Sequence, residues 1–85
     1  MKHLFIINPA AGSHDRTAWY RSQIETHCVG LDYEIQVSQA PGKCREMARA
    51  AAETGEKVRL YACGGDGTLN EVASGAAGFP YAAVT

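Results

Sequence analysis

Three observations on this 85-residue sequence predict an α/β fold, a three-layer Rossmann-like sandwich with a mostly parallel sheet of about four strands and three helices. Short apolar runs alternate with segments of helical periodicity along the whole chain. The connections between successive strands are long enough for right-handed βαβ crossovers. Two strand ends, "NPAAG" and "GGDGT", carry unusual turn chemistry, and in open α/β sheets ligands bind beyond such ends, where the strand order reverses.

The first strand is predicted over Leu4–Ile7, a continuous apolar run stopped by Asn8-Pro9, as suits a strand buried on both faces. A helix follows over about Asp15–Cys28, with Tyr20, Ile24 and Cys28 at helical spacing and Trp19 off that stripe. "GLDYEIQVS" alternates, placing Leu31, Tyr33, Ile35 and Val37 on one face and Asp32, Glu34 and Gln36 on the other. This reads as a strand near a sheet edge. From Pro41 to Glu53, Cys44, Met47, Ala48 and Ala51 fall at i, i+3, i+4 and i+7, with Pro41 suited to the helix start and Gly55 to its stop. "KVRLYAC" is the third strand, Leu69, Val72, Ala73 and Ala76 mark the third helix, and "YAAVT" is the fourth strand. If the first and third strands are neighbours, the loops leaving them face each other.

Composition narrows the function classes. Nearly half the residues are hydrophobic and a fifth charged, a globular balance, although the length is under the ~100–200 residues of an ordinary domain. A formal charge of −1 with no basic block gives no basis for a nucleic-acid partner. Cys28, Cys44 and Cys63 form no CxxC pair, which fits a reducing cytoplasm. The apolar core of "MKHLFIINPAAG" is too short for a signal peptide, and no segment approaches a membrane span.

The glycine cluster holds the chemistry. Gly64, Gly65 and Gly67 fall within four positions just before a helical pattern, where exposed backbone N–H groups and the positive end of the helix dipole suit a phosphate. A tight turn requiring φ > 0 is the plainer explanation for one glycine and a weaker one for three. Asp66 inside this loop suggests a divalent cation beside the phosphate or a proton transfer, and equally suits a helix N-terminus on dipole grounds alone. Thr68 and Glu71 match the capping-box spacing, which commits Glu71 to capping and leaves Thr68 shared between cap and phosphate. Asn70 has no structural reason to stand at the helix start and is expected to face the ligand. The P-loop and dinucleotide patterns both fail, the first because Gly42-Lys43 is followed by Cys44, the second because Asn70 takes its last glycine's place. His3, His14 and His27 share no metal-ligand spacing.

"NPAAG" after the first strand together with "GGDGTLNEV" after the third resembles the catalytic domain of the diacylglycerol kinase family, which includes soluble bacterial lipid kinases. GGDGT alone is shared with NAD kinases and, loosely, with phosphofructokinases, whereas "LNEV" and Ser74-Gly75 resemble the lipid kinases. The resemblance implies ATP-dependent, Mg²⁺-assisted phosphorylation of a lipid hydroxyl by a cytoplasmic protein that visits the membrane surface. It also implies that Asn8, Pro9 and Gly12 form one nucleotide-contacting loop and Gly64 to Thr68 the other. Ser38 stands where the family often has a threonine near the nucleotide. Gly42-Lys43-Cys44 departs from the family's common Gly-Asp-Ala. On this resemblance residues 1–85 are the N-terminal part of the nucleotide-binding domain, with a further G-T/S-x-N-D loop and a β-rich second domain expected beyond Thr85. The 85 residues alone are accordingly expected to transfer no phosphoryl group and to self-associate through exposed sheet edges. An NAD-kinase-like enzyme and a non-catalytic nucleotide-binding or assembly module are the alternative readings.

Overall fold

The computed structural model describes all residues from Met1 to Thr85. Its elements run β1 (Lys2–Ile7), α1 (Thr17–His27), β2 (Tyr33–Val37), α2 (Lys43–Ala52), β3 (Val58–Cys63), α3 (Asp66–Ala76) and β4 (Ala82–Val84). The sheet is parallel throughout in the order β2-β1-β3-β4. The α/β class, the three helices and the four strands are as the sequence predicts. The chain leaves β1 to one side through α1 and returns across it through α2, so the strand order reverses between β1 and β3.

β1 is a central strand with helices packed on both faces of the sheet, and this explains its unbroken apolar run. Leu4 and Ile6 pack with Val58 and Leu60 of β3 against Cys44 and Ala48 of α2 and Val72 and Ala76 of α3. Ile7 and Cys63 pack against Ile24 of α1 and Cys28 just after it, with Phe5, Tyr33, Ile35 and Val37 beside them. The sheet thus has α1 on one face and α2 with α3 on the other, giving the expected three layers. Full burial of an aliphatic side chain such as Leu4, Ile6, Ile7 or Leu60 contributes roughly 1.5–3 kcal/mol each. Phe5 stacks on Tyr61 at a ring separation of 4.2 Å and meets Tyr33 edge-on at 6.4 Å, tying β2, β1 and β3 together on the α1 face.

The element ends differ from the sequence reading for identifiable reasons. β1 starts at Lys2, two residues early, because that residue still pairs with Val58 across the ladder and its ammonium reaches Glu34 of β2 at 2.6 Å. α1 starts at Thr17 rather than Asp15, because the Asp15 carboxylate accepts from both the N–H and the hydroxyl of Thr17 and so stands before the first turn. Leu31 is half exposed instead of joining the apolar face of β2, since its N–H donates to the Cys28 carbonyl in the turn ahead of the strand. Pro41 lies in a turn before α2, followed by Gly42 at φ 81° and closed by the Lys43 N–H on the Ala40 carbonyl. Pro then positive-φ Gly is the type II turn order. Gly55, at φ 79°, ends α2 as expected.

The stripe of α3 is rotated from the predicted one. Thr68, Val72, Gly75 and Ala76 are buried, whereas Leu69 is 41 % exposed and Ala73 lies outside. Close contact with α2 decides this: Gly75 sits directly against the Arg45 carbonyl and the Ala48 methyl. Such an approach is open only to a residue with no Cβ, and it turns the bulkier Leu69 outward.

All three cysteines are buried and free. Burial pushes the Cys63 thiol up to about 11. In the unfolded chain a thiol titrates near its ordinary value, so between about pH 9 and 11 unfolding releases a proton that the native state retains. Stability is therefore expected to fall as pH rises through that window, by at most about 2–3 kcal/mol. Melting curves of the wild type and Cys63→Ala across pH 8 to 11 check this: the alkaline decline should be shallower in the variant.

Candidate functional site

The loop after β1 and the loop after β3 meet at the carboxyl edge of the sheet, where the strand order reverses. The Asn8 N–H donates to the Cys63 carbonyl at 3.0 Å, extending the β1–β3 ladder one step. The Asn8 side chain then uses both of its ends: its amide donates to Thr68 Oγ1 at 3.2 Å, and its oxygen accepts from the Ala10 N–H at 3.1 Å. Asn8 is thereby the tie between the two loops. Gly12, at φ 78°, turns the first loop back on itself where an L side chain would be strained.

Gly64, Gly65 and Gly67 are glycines for reasons other than backbone conformation, since none has a positive φ. Gly65 precedes α3 in extended conformation, at φ −113° and ψ −162°. A methyl group at Gly64 would collide with Thr68 Oγ1 and stand 2.8 Å from Thr68 Cβ and 3.1 Å from Ala11 Cβ. That glycine is needed for packing the two loops. At Gly65 and Gly67, in contrast, a Cβ would meet nothing within 4 Å.

α3 begins at Asp66, two residues into the glycine loop, with Gly65 as its N-cap and no side-chain cap. The capping box expected at Thr68 and Glu71 is therefore not formed. Thr68 lies inside the first turn, almost fully buried, with its hydroxyl accepting from Asn8. The first amides of the helix have no intrahelical acceptor. Asp66 occupies the first helical position, exposed and without a hydrogen-bond or ion-pair partner.

Freed from capping, Glu71 faces a hollow of about 270 Å³ that it lines with Asn8, Ala11, Gly12, Gly65, Gly67 and Thr68. Its Oε1 is buried and has no partner, a costly state for a carboxylate oxygen. Beyond the same glycines lies a second hollow of about 170 Å³, lined by Asn8, Ala11, Gly12, Arg16, Tyr20, Gly64 and Gly65. The two share Asn8, Ala11, Gly12 and Gly65 and form one crevice over the glycine loop. Sequence reasoning missed Glu71, Arg16 and Tyr20. The available signal for Glu71 was Asp66 itself, an acidic residue directly after Gly-Gly that marks the helix start earlier than Thr68.

The remaining predicted residues divide. Pro9 and Ser38 line a smaller hollow of about 120 Å³ on the far side of the Asn8–Ala10 turn, with Asn8 shared between the two sides. Ser38 is buried, its N–H donating to the Ile7 carbonyl at 2.9 Å. Burial pushes the neighbouring Cys44 thiol up, the Ser38 side-chain hydrogen bond opposes this, and the Glu71 charge adds to it. Asn70 is exposed and lines neither hollow.

A parallel sheet with helices on both faces, and a glycine-walled crevice at the point where its strand order reverses, defines a doubly wound α/β domain, a class in which ligands bind beyond the strand ends. The family model of the diacylglycerol kinase catalytic domain matches residues 2–84, and the chain belongs to that family. No curated protein matches the chain. No helix is long and apolar enough to cross a membrane.

Proposed function

We propose that the chain is the nucleotide-binding part of an ATP-dependent lipid kinase, which transfers the γ-phosphate of ATP to a lipid hydroxyl such as that of diacylglycerol. One observation carries the reading: Gly65 and Gly67 are required by neither φ nor packing, and both border open space at the start of α3. Room for a ligand against the main chain is the remaining use for a missing Cβ there. The ligand chemistry follows from what lines that room. Uncapped amides at a helix N-terminus donate to an anion with the dipole behind them, which suits the phosphates of ATP. Family membership supports the lipid acceptor and a cytoplasmic protein working at the membrane surface.

The carboxylates fit a hard cation carried by the nucleotide. Asp66 has no partner and Glu71 keeps one buried oxygen unpaired, and Mg²⁺ is ordinarily held by one or two carboxylates together with phosphates and water. Glu71, which lines the hollow, is the carboxylate that would meet it there, whereas Asp66 lines neither hollow. Bound there, Mg²⁺ supplies neutralisation of the charge that develops during phosphoryl transfer. The chain's own work is positioning: Asn8 holds the two loops in register, Gly12 and Gly64 let them close together, and the α3 amides orient the phosphates.

Gly65→Val tests the reading, because its branched Cβ enters the open space, where a Cβ meets nothing within 4 Å. Calorimetric titration with Mg·ATP should show at least tenfold weaker binding, the loss of about one charge-assisted hydrogen bond, with only the modest drop in melting temperature that a poorer N-cap brings. Equal affinity in the variant and the wild type would remove the phosphate role from the glycine loop.

A further inference from the structure

Arg16 lines the crevice without a carboxylate partner, and this arrangement calls for an anionic ligand. It lines the same hollow as Gly12, Gly64 and Gly65. The ion pairs of the chain involve Lys2, Lys43 and Arg49, each with a glutamate, and none involves Arg16. The nearest acid in sequence, Asp15, is engaged with Thr17. Arg16 rests instead with its guanidinium carbon 4.4 Å from the centre of the Trp19 ring and 5.9 Å from that of Tyr20. Trp19 and Tyr20 meet each other edge-on at 5.2 Å, so the guanidinium lies on a two-ring platform.

Stacking has a specific consequence. It occupies the face of a planar cation and leaves the N–H groups along its edge free for a bidentate partner. The other charged residue lining the crevice, Glu71, is acidic. Arg16 is the sole cationic side chain lining either hollow over the glycine loop. A polyphosphate seated on the α3 amides meets positive charge only on the α1 side.

We infer that Arg16, held on Trp19, is a phosphate-binding residue of this crevice and draws the polyphosphate of the nucleotide toward α1. The inference rests on the nucleotide reading above and goes beyond it by adding a side-chain cation from outside both recognisable loops. It also explains the exposed Trp19, which packs in neither core and is 49 % accessible. Its ring is the support for the guanidinium.

Trp19 is the only tryptophan in the chain, so its fluorescence reports directly on Arg16. ATP, inorganic tripolyphosphate and adenosine are titrated into the wild type, Arg16→Gln, Arg16→Lys and Gly65→Val, with affinities measured by calorimetry alongside Trp19 emission. The expected result is about a tenfold loss of ATP and tripolyphosphate affinity in Arg16→Gln, the size of one lost charge-assisted bond. Adenosine affinity should be unchanged, and Arg16→Lys should recover part of the loss. ATP should also alter Trp19 emission in the wild type and not in Arg16→Gln. If ATP affinity is unchanged in Arg16→Gln but falls in Gly65→Val, the Arg16 role is wrong while the nucleotide reading stands. If the wild type binds neither ATP nor tripolyphosphate, both are overturned.

Discussion

Gly75→Ala is expected to lower the melting temperature by about 10 °C, even though alanine is the better helix former. Inside a helix that substitution ordinarily gains about 1 kcal/mol. At Gly75 the new methyl would overlap the Arg45 carbonyl oxygen and stand 3.1 Å from the carbonyl carbon and 3.0 Å from the Ala48 methyl. A backbone carbonyl within α2 cannot rotate aside, so the helices must separate. Overpacking of this kind costs about 1–3 kcal/mol and sometimes more. With an overlap this close the cost lies at the upper end, about 3 kcal/mol, and the net loss of about 2 kcal/mol corresponds to roughly 8–16 °C in a domain of this size. Gly67→Ala in the same helix is the internal comparison, because its Cβ would meet nothing within 4 Å. It should leave the melting temperature unchanged or raise it slightly. Thermal melts of both variants decide the matter: shifts of the same sign and size would mean that the α2–α3 contact does not limit stability.

Gly64→Ala should produce the largest loss at the site. The added methyl would collide with Thr68, whose hydroxyl could turn away but whose Cβ is fixed 2.8 Å off on the first turn of α3, and would press on Ala11 at 3.1 Å. Relief requires the two loops to part, and parting them breaks the Asn8–Thr68 hydrogen bond that ties them. Both the amide cradle at α3 and the crevice beside Arg16 lose their shape together. Mg·ATP affinity is expected to fall by about a hundredfold, the equivalent of roughly 2–3 kcal/mol, and the chain to lose about 1–3 kcal/mol of stability. Titration and denaturant unfolding of the same preparation measure the two effects. An affinity within twofold of wild type would show that the loops tolerate separation and that their contact is incidental to the site.

Gly64 and Gly65 together mark how much of the site is legible in the sequence. "GGDGT" announces a ligand loop, and "NPAAG" a facing one, because such residues concentrate where a main chain must be approached closely. What each glycine does is not legible there. Gly64 answers to Thr68, which Asn8 ties from the facing loop, and to Ala11, more than fifty positions earlier in the sequence, and Gly65 to nothing in the chain at all. The same holds for Glu71. Its spacing from Thr68 satisfies a capping box, yet α3 starts at Asp66, and Glu71 lines the crevice with one carboxylate oxygen buried and unpaired. Arg16 carries no signal in the sequence because a single arginine ahead of an amphipathic helix is ordinary. Only the folding of α1 beside the glycine loop brings it there.

Local periodicity is enough to assign the strands and helices: β1 by its unbroken apolar run, α2 by its i, i+3, i+4, i+7 stripe, β2 by strict alternation. The family is equally readable from the chain, through two motifs whose chemistry is carried by the main chain. The pairing of β1 with β3 is not written in either segment, and the meeting of the two loops comes with it. Nor is the rotation of α3 that buries Thr68 and Gly75 and exposes Leu69. The difference is one of range. Periodicity and turn preferences act over a few residues, whereas steric fit at Gly75, the unpaired oxygen of Glu71 and the stacking of Arg16 on Trp19 depend on which surfaces the completed sheet brings into contact.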